Sequence, residues 1–303
     1  MTGWGHALPP GIVTNGDWER RLDTTSEWIV ERTGIHSRRV GGTTVSLAVE
    51  AAQASLDRAE RDARDLGLIV VATTTPDRVI PTTSTDVAGA FGVSCGAFDV
   101  SATCAGFVYA LVVAFTYCAS VKQPVLVIGA DTVTRLADPE DRSTAVLFGD
   151  GAGALLLEPN GSSSALLSWD LGSDADATIM NCELGGFVYM AGKEVFVRAV
   201  QLGAESAKSA LKDAGLSPSD VDLFVPHQAN RRIMDALARR LAIPSERVAS
   251  VIEHTGNTSA ASVPMALSMY AEDGHLAGDD VVLLNAFGGG MTIASAVLRW
   301  PDR

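Results

Sequence analysis

The stretch Asp99-Val100-Ser101-Ala102-Thr103-Cys104-Ala105-Gly106-Phe107 holds the residue best suited to covalent chemistry. An apolar run ends there in small residues and a cysteine follows. An apolar helical pattern then begins at once, through Phe107, Tyr109, Ala110, Leu111, Val112, Val113, Ala114, Phe115 and Tyr117. A helix that is apolar on nearly every face belongs inside a protein. At its N-terminus Cys104 meets free N–H groups and the positive end of the helix dipole, a setting that favours a nucleophilic thiolate. Ala102, Ala105 and Gly106 leave room for a substrate. A free cysteine is by default a small buried hydrophobe. The strand-to-helix corner sets Cys104 apart, as do two further polar corners, His227-Gln228-Ala229-Asn230 and His254-Thr255-Gly256-Asn257.

The rest of the chain has to bring these corners together. Its 303 residues, 47% hydrophobic with 29 glycines, can bury a large core. A net charge of −13 argues against nucleic acid or an anionic membrane as partner. The absence of an unbroken run of 18 apolar residues predicts no membrane span. Residues 1–6 have neither a basic nor an apolar leader region, which predicts no signal peptide. Cys95, Cys104, Cys118 and Cys182 show no paired spacing and no cluster with histidines, so neither a metal site nor a disulfide scaffold is expected. The expectation is a soluble cytoplasmic protein.

Residues 23–35 read as a short helix between capping residues and a glycine. Trp28 and Arg32 share one of its faces, placed either to stack on a flat ligand and meet a phosphate or simply as a half-buried Trp beside a solvated Arg. Helices follow over 46–64 and 83–91. Continuous apolar runs at 66–74 and 124–130 read as buried strands, and 97–101 as a strand leading to Cys104. Phe148-Gly149-Asp150-Gly151-Ala152-Gly153 is glycine-rich but precedes a strand, so it fails the context of a phosphate loop. Residues 159–193, with their Gly-Ser-Ser-Ser run, read as linker and loops. Beyond them come a helix over 194–214, a strand over 221–226, a helix over 231–241, a strand over 248–253 and a helix to 270. Strands at 280–286 and 292–300 flank the turn Phe287-Gly288-Gly289-Gly290.

The two halves, 1–158 and 194–303, read alike. Strand 68–74 answers 221–227, Cys104 answers Asn257, and 124–130 answers 281–287. Parallel strands joined by helices imply α/β halves in a layered αβαβα arrangement. Pseudo-symmetry would bring Cys104, His227 and Asn257, each at a strand end, to one cleft.

With these residues in place the chain resembles the β-ketoacyl-acyl-carrier-protein synthase III group of the thiolase-like superfamily. The matching strings are Glu27-Trp28-Ile29-Val30-Glu31-Arg32-Thr33-Gly34-Ile35, Ala102-Thr103-Cys104-Ala105-Gly106-Phe107, Phe148-Gly149-Asp150-Gly151-Ala152-Gly153, Val225-Pro226-His227-Gln228-Ala229-Asn230, His254-Thr255-Gly256-Asn257-Thr258-Ser259-Ala260-Ala261-Ser262 and Ala286-Phe287-Gly288-Gly289-Gly290. They span nearly the whole chain in order.

The resemblance implies a Cys104–His227–Asn257 triad working in a ping-pong cycle. An acyl-CoA acylates Cys104, and malonyl-acyl-carrier protein then loses carbon dioxide and attacks the acyl-cysteine. A thiolate is both nucleophile and leaving group, as thioester exchange needs. N–H donors from His227 and Asn257 would hold the enolate, and the backbone N–H groups of Cys104 and Gly289 would form a second oxyanion hole. The resemblance also implies CoA contacts from Trp28 and Arg142 around the adenine, Arg32 at a phosphate and Asn230 along the pantetheine. Ile80 takes a place associated with acyl selection, and His254 reads as structural. CoA is a substrate here, and no resident cofactor is implied. An acidic carrier protein must overcome the enzyme's negative field, and Arg231, Arg232, Arg239 and Arg240 are the candidate docking patch, or else an ordinary solvated helix face.

The sequence departs from the family in a short first strand, a shortened 168–190 segment and Val197 where some relatives carry a docking lysine. The reading is a homodimeric condensing enzyme that starts fatty-acid or polyketide chains. A starter-unit acyltransferase that does not condense, or a non-catalytic partner subunit, is the alternative. A second catalytic cysteine, as a thiolase needs, has no candidate motif.

Overall fold

The computed structural model describes residues 1–159 and 165–302, so the Gly-Ser-Ser-Ser run at 161–164 lies outside the described residues. In chain order the first half holds β1 (Gly3–Ala7), β2 (Gly11–Thr14), α1 (Asn15–Glu19), α2 (Ser26–Thr33), β3 (Ser37–Val40), α3 (Thr44–Arg58), β4 (Leu68–Ala72), α4 (Thr83–Phe91), β5 (Gly96–Val100), α5 (Gly106–Val121), β6 (Val125–Thr132), α6 (Arg142–Ala145) and β7 (Asp150–Leu157). The second half holds β8 (Leu166–Ser173), β9 (Met180–Asn181), β10 (Tyr189–Met190), α7 (Gly192–Asp213), β11 (Leu223–Pro226), α8 (Arg231–Leu241), α9 (Ile252–Thr255), α10 (Ser262–Glu272), β12 (Val281–Gly288) and β13 (Thr292–Arg299).

The apolar runs become the central strands: β4, β6, β7 and β12 are buried along their whole length. One sheet has the order β1-β7-β6-β4-β5, with β6, β4 and β5 parallel and the other neighbours antiparallel. The second large sheet has β8-β13-β12-β11, with β12 and β11 parallel, and β2-β3 and β9-β10 form two-stranded sheets beside them. Helices α3 and α4 cover the outer face of the first sheet, and α7 and α8 lie outside the second. Between the sheets lie α5 and α10, whose Phe107, Leu111, Ala114, Val263 and Leu267 share one core with Val70, Val127, Leu155, Val225, Leu284 and Ala296. Five layers result, the thiolase-like arrangement expected.

By length and composition alone residues Thr103–Val121 are apolar enough to cross a membrane, although Thr, Tyr and Ser interrupt the run. In the fold they run through the middle layer, apolar on most sides because protein surrounds them.

Three expectations need correction. The strand placed at 248–253 is a single parallel bridge between Phe224 and Val248. Beyond it the backbone donors turn to side chains, Ser250 N–H to the Tyr270 hydroxyl (2.9 Å) and Val251 N–H to Gln228 Oε1 (3.0 Å), and the chain coils into α9. Second, 159–193 is more than linker. Strand β8 pairs with β13, so the second half's sheet begins well before residue 194. As an edge strand β8 alternates toward solvent, with Trp169 and Leu171 exposed, and lacks the continuous apolar run that marks its neighbours. With β8 in place the two sheets match strand for strand, β1 to β8, β7 to β13, β6 to β12 and β4 to β11, with the Val248 bridge standing where β5 does.

Third, the register of the repeat differs at the corner. A 3₁₀ turn at Thr103–Ala105 precedes α5, and its counterpart at Ser259–Ala261 precedes α10. Their first residues, Thr103 and Ser259, both take left-handed backbone, at φ +47° and +52°. Ala260, not Asn257, therefore answers Cys104.

Candidate active site

The strand ends converge on a cavity of about 660 Å³ that runs from exposed Arg32 and Arg232 past Trp28 and Asn230 to buried Cys104, His227 and Asn257. Cys104 sits in the second position of its 3₁₀ turn, 7% exposed. The turn is held from the second half: the Thr103 hydroxyl donates to the Gly289 carbonyl (3.2 Å) and lies 2.9 Å from the Thr292 hydroxyl. A Cβ on Gly288 would stand 2.7 Å from the Cys104 nitrogen and 1.9 Å from the Thr103 hydroxyl, so only glycine lets the two halves close here. Gly288 is thus the glycine of the turn that touches the Cys104 peptide, with Gly289 beside it.

Burial pushes the Cys104 thiol up to about 11, with a hydrogen bond from Ser259 pulling it down and the charge of Asp131 pushing it further up. The thiolate expected from the helix N-terminus is therefore not the resting form, because desolvation dominates.

His227 follows β11, and its N–H donates to the Asn285 carbonyl (2.7 Å). Burial lowers its pKa to about 3, so the ring is neutral. Its Nδ1 lies 2.6 Å from the Ser262 hydroxyl, and its edge packs on Phe287 at 5.3 Å between ring centres. The Ser262 oxygen also accepts the Gln228 N–H at 3.4 Å. In the tautomer where the hydroxyl proton points to Nδ1, the ring proton lies on Nε2 as a donor; in the other, Ser262 accepts from Nδ1 with its second lone pair.

Asn257 is fixed on both sides of its peptide, N–H to the Leu147 carbonyl (2.9 Å) and carbonyl to the Gly149 N–H (3.0 Å). Its Oδ1 accepts the Ser259 N–H at 3.0 Å, which leaves the Nδ2 protons for the cavity. The glycine-rich string that is not a phosphate loop has its use here. Phe148 bridges to Asn257, and Gly153 lets β7 meet α10, since a Cβ there would lie 2.5 Å from the Met265 nitrogen.

Toward the mouth, Trp28 lies under two guanidinium groups, Arg142 at 5.0 Å and Arg32 at 5.8 Å from the ring centre. A flat ring between Trp28 and Arg142 needs roughly 7 Å, two contacts of about 3.5 Å. The pair is therefore closed as it stands, and Arg142 has to leave the Asp23 carbonyl (2.7 Å) to admit a ligand. Asn230 lines the cavity while capping α8 through the Arg232 N–H (2.9 Å) and holding the Arg32 carbonyl (3.0 Å).

Ile80 is not brought to the cavity: it stands 84% exposed on the loop before α4, next to Val79 at 90%. Nor is Arg231 a free cation, since it pairs with Asp235 (2.9 Å) and Glu253 (2.7 Å). Arg232, Arg239 and Arg240 are exposed, with Arg232 over the Phe196 ring at 6.0 Å. His254 packs on His36, 6.1 Å between ring centres, away from the cavity. Sequence reasoning passed over Ser259, Ser262 and Asp131. Asp131 did carry a signal, an acidic residue ending the fully apolar run of β6.

Two family models match, 3-oxoacyl-[acyl-carrier-protein] synthase III over residues 98–175 and its C-terminal region over 211–300. The chain is 45% identical over 321 residues to a β-ketoacyl-[acyl-carrier-protein] synthase III of Roseiflexus sp. strain RS-1, covering 99% of this chain and 98% of that one. It is 48% identical over 309 residues to synthase III 2 of Streptomyces coelicolor, covering 99% and 93%. The crystal structure of the Aquifex aeolicus 3-oxoacyl-[acyl-carrier-protein] synthase III superposes with a TM-score of 0.96 at 40% identity, over 99% of both chains. The priming β-ketosynthase of the R1128 polyketide pathway superposes at 0.95 and 36% identity, over 99% and 96%.

Proposed function

Since the chain belongs to the 3-oxoacyl-[acyl-carrier-protein] synthase III family, it is a condensing enzyme that starts fatty-acid or polyketide chains, and we propose that it works by a ping-pong cycle through Cys104. In the first half, the sulfur of Cys104 attacks the thioester carbonyl of an acyl-CoA. The carbon–sulfur bond to CoA breaks, and the thiol proton of Cys104 leaves with CoA. In the second half, malonyl-acyl-carrier protein loses carbon dioxide, and the resulting enolate carbon attacks the acyl-cysteine carbonyl. The new carbon–carbon bond forms, the cysteine thiolate departs, and it takes a proton from water.

The observation that carries this reading is the donor pair. The neutral His227 ring and Asn257, whose Oδ1 already accepts the Ser259 N–H, both line the cavity that holds Cys104, and in this reading they offer it Nε2–H and the Nδ2 protons. Two N–H donors that carry no charge of their own suit an oxyanion that forms only in the transition state. Decarboxylation makes such an oxyanion on the malonyl thioester. The Cys104 and Gly289 N–H groups serve the acylation step in the same way. Trp28, Arg32, Arg142 and Asn230 hold the CoA arm, which makes CoA a substrate, with no resident cofactor.

Two copies of the chain pair in this reading. Strand β5 is an edge of its sheet, with Phe98 exposed, and the loop of Val79 and Ile80 adjoins it through Asp99, which caps α4 at the Thr83 and Ser84 N–H groups (both 2.8 Å). Ile80 can then shape an acyl pocket only from a partner copy. Exposed Arg232, Arg239 and Arg240 receive the carrier protein. We place the reaction in the cytoplasm, with no nucleic-acid or membrane partner.

The test is intact-protein mass spectrometry after incubation with a panel of acyl-CoAs, with and without malonyl-carrier protein. An acyl mass on Cys104 that disappears as β-ketoacyl carrier forms is the expected result, and it ranks the starters. An acyl mass that malonyl-carrier protein cannot discharge would mean acyl transfer without condensation. The Cys104→Ala protein should take up no acyl group.

A further inference from the structure

Asp131, the second-last residue of β6, is fully buried, and none of the ion pairs among the described residues includes it. Its Oδ1 accepts the Thr74 N–H (2.7 Å), the Thr75 N–H (3.0 Å) and the hydroxyls of Thr75 (2.7 Å) and Thr73 (3.0 Å). Its Oδ2 accepts the Ala260 N–H at 2.9 Å. Both oxygens thus face backbone N–H groups, which can only donate. Burial raises this carboxyl's pKa, and the hydrogen bonds from Thr75, Thr74, Ala260 and Ser259 oppose the rise.

The charge does not help the nucleophile, since it pushes the Cys104 thiol up. A buried anion that works against the thiolate has its use in geometry. What it holds is one loop from each half: Thr73–Thr75 beyond β4, and the 3₁₀ turn before α10. That second turn starts at Ser259 in left-handed backbone, a conformation a serine adopts only under constraint. The constrained residue is the one whose N–H takes Asn257 Oδ1 and so aims Nδ2 into the cavity.

We propose that Asp131 is a positioning residue for the decarboxylation step, tying Ala260 N–H to the Thr73–Thr75 loop and thereby setting the direction of the Asn257 amide. Acylation of Cys104 uses the other turn, held by Thr103 against Gly289 and Thr292, and meets this side only through the Ser259 hydrogen bond and the Asp131 charge, which act on the thiol in opposite directions. The two half-reactions thus rest on different main supports. This inference builds on the condensation reading above.

Asp131→Asn keeps the volume but sets an NH₂ group against an N–H donor. Expected is a loss in kcat for condensation on the order of 100-fold, the cost of a misplaced reacting group. The KM for malonyl-carrier protein should stay near wild type, and the rate of Cys104 acylation, read by intact mass, should hold or rise, because the charge that pushes the thiol up is gone. Combined with Asn257→Ala, the Asn substitution should add little, because it acts through the amide already removed. If both half-reactions fall together, or if the two losses multiply in full, Asp131 is a structural residue and the proposal is wrong. Retained condensation in Asp131→Asn also overturns it. Should that protein fail to fold, Thr73→Val removes one donor to Oδ1 and must show the same ordering, condensation lost before acylation and little added loss over Asn257→Ala. A wild-type enzyme that is acylated but never condenses would instead overturn the reading of function.

Discussion

Burial holds Cys104 as a thiol and His227 as a neutral ring, and each leaves a mark on stability. His227 has a folded pKa of about 3 against an ordinary 6.5, so the unfolded chain binds the proton first as pH falls. Its contribution is complete above about pH 6.5 and is lost progressively as pH drops toward 3. Between pH 7 and pH 5 the wild type should lose about 2 kcal/mol through this group alone. His227→Gln should lack that component, which denaturant titrations at the two pH values measure. Equal acid sensitivity in both proteins would mean that the ring is not held neutral. For Cys104 the sign reverses: its folded pKa lies above its ordinary one, so its share of stability fades as pH rises beyond about 9. The place of Cys104 at a strand-to-helix corner was legible, and its ionisation was not. A helix N-terminus can be read from sequence, but the depth of burial that overrides it comes from residues far away in the chain, such as Gly288 against the Cys104 nitrogen.

At the scale of elements, the readable parts were those whose pattern is local. The helices over 83–91 and 231–241 fall where capping and periodicity put them, and the parallel strands show as unbroken apolar runs. Strand β8 was hidden by its solvent-facing alternation. The segment after Val248 looked like a strand because its composition suits one, yet Gln228 and Tyr270 capture its N–H groups. Such competition depends on tertiary contacts. The same kind of contact makes Gly153 sensitive. A Cβ there would meet the backbone of Pro264 and Met265 at 2.5 Å, and backbone cannot step aside as a side-chain tip can. Gly153→Ala should destabilise the protein by at least the ~1–3 kcal/mol of an overpacked core. Thermal melts should show the loss, whereas Gly172→Ala, with open space around its position, should melt within a degree or so of wild type.

For the molecule as a whole, a net charge of −13 opposes an acidic partner at long range, while Arg232, Arg239 and Arg240 act only on contact. Raising the ionic strength from about 0.01 M to about 0.1 M shortens the screening length from about 30 Å to about 10 Å. Repulsion from the whole surface is then screened more than a contact pair is. The KM for malonyl-carrier protein should fall over that range. The double change Arg239→Glu and Arg240→Glu should raise it at every salt concentration while leaving the KM for acyl-CoA unchanged. A KM that climbs with salt in the wild type would mean that local attraction already rules at a distance.

The middle layer also has a consequence in time. Helix α5 is covered on one side by its own sheet, but its other side packs on β8, β12 and β13, which a ribosome makes later. At about 5–20 residues per second, the roughly 170 residues from the end of α5 to β13 take on the order of ten to thirty seconds. Until then the nascent chain carries a segment as apolar as a membrane span with one side not fully covered. Its safe passage depends on what shields it during synthesis, before the second half arrives.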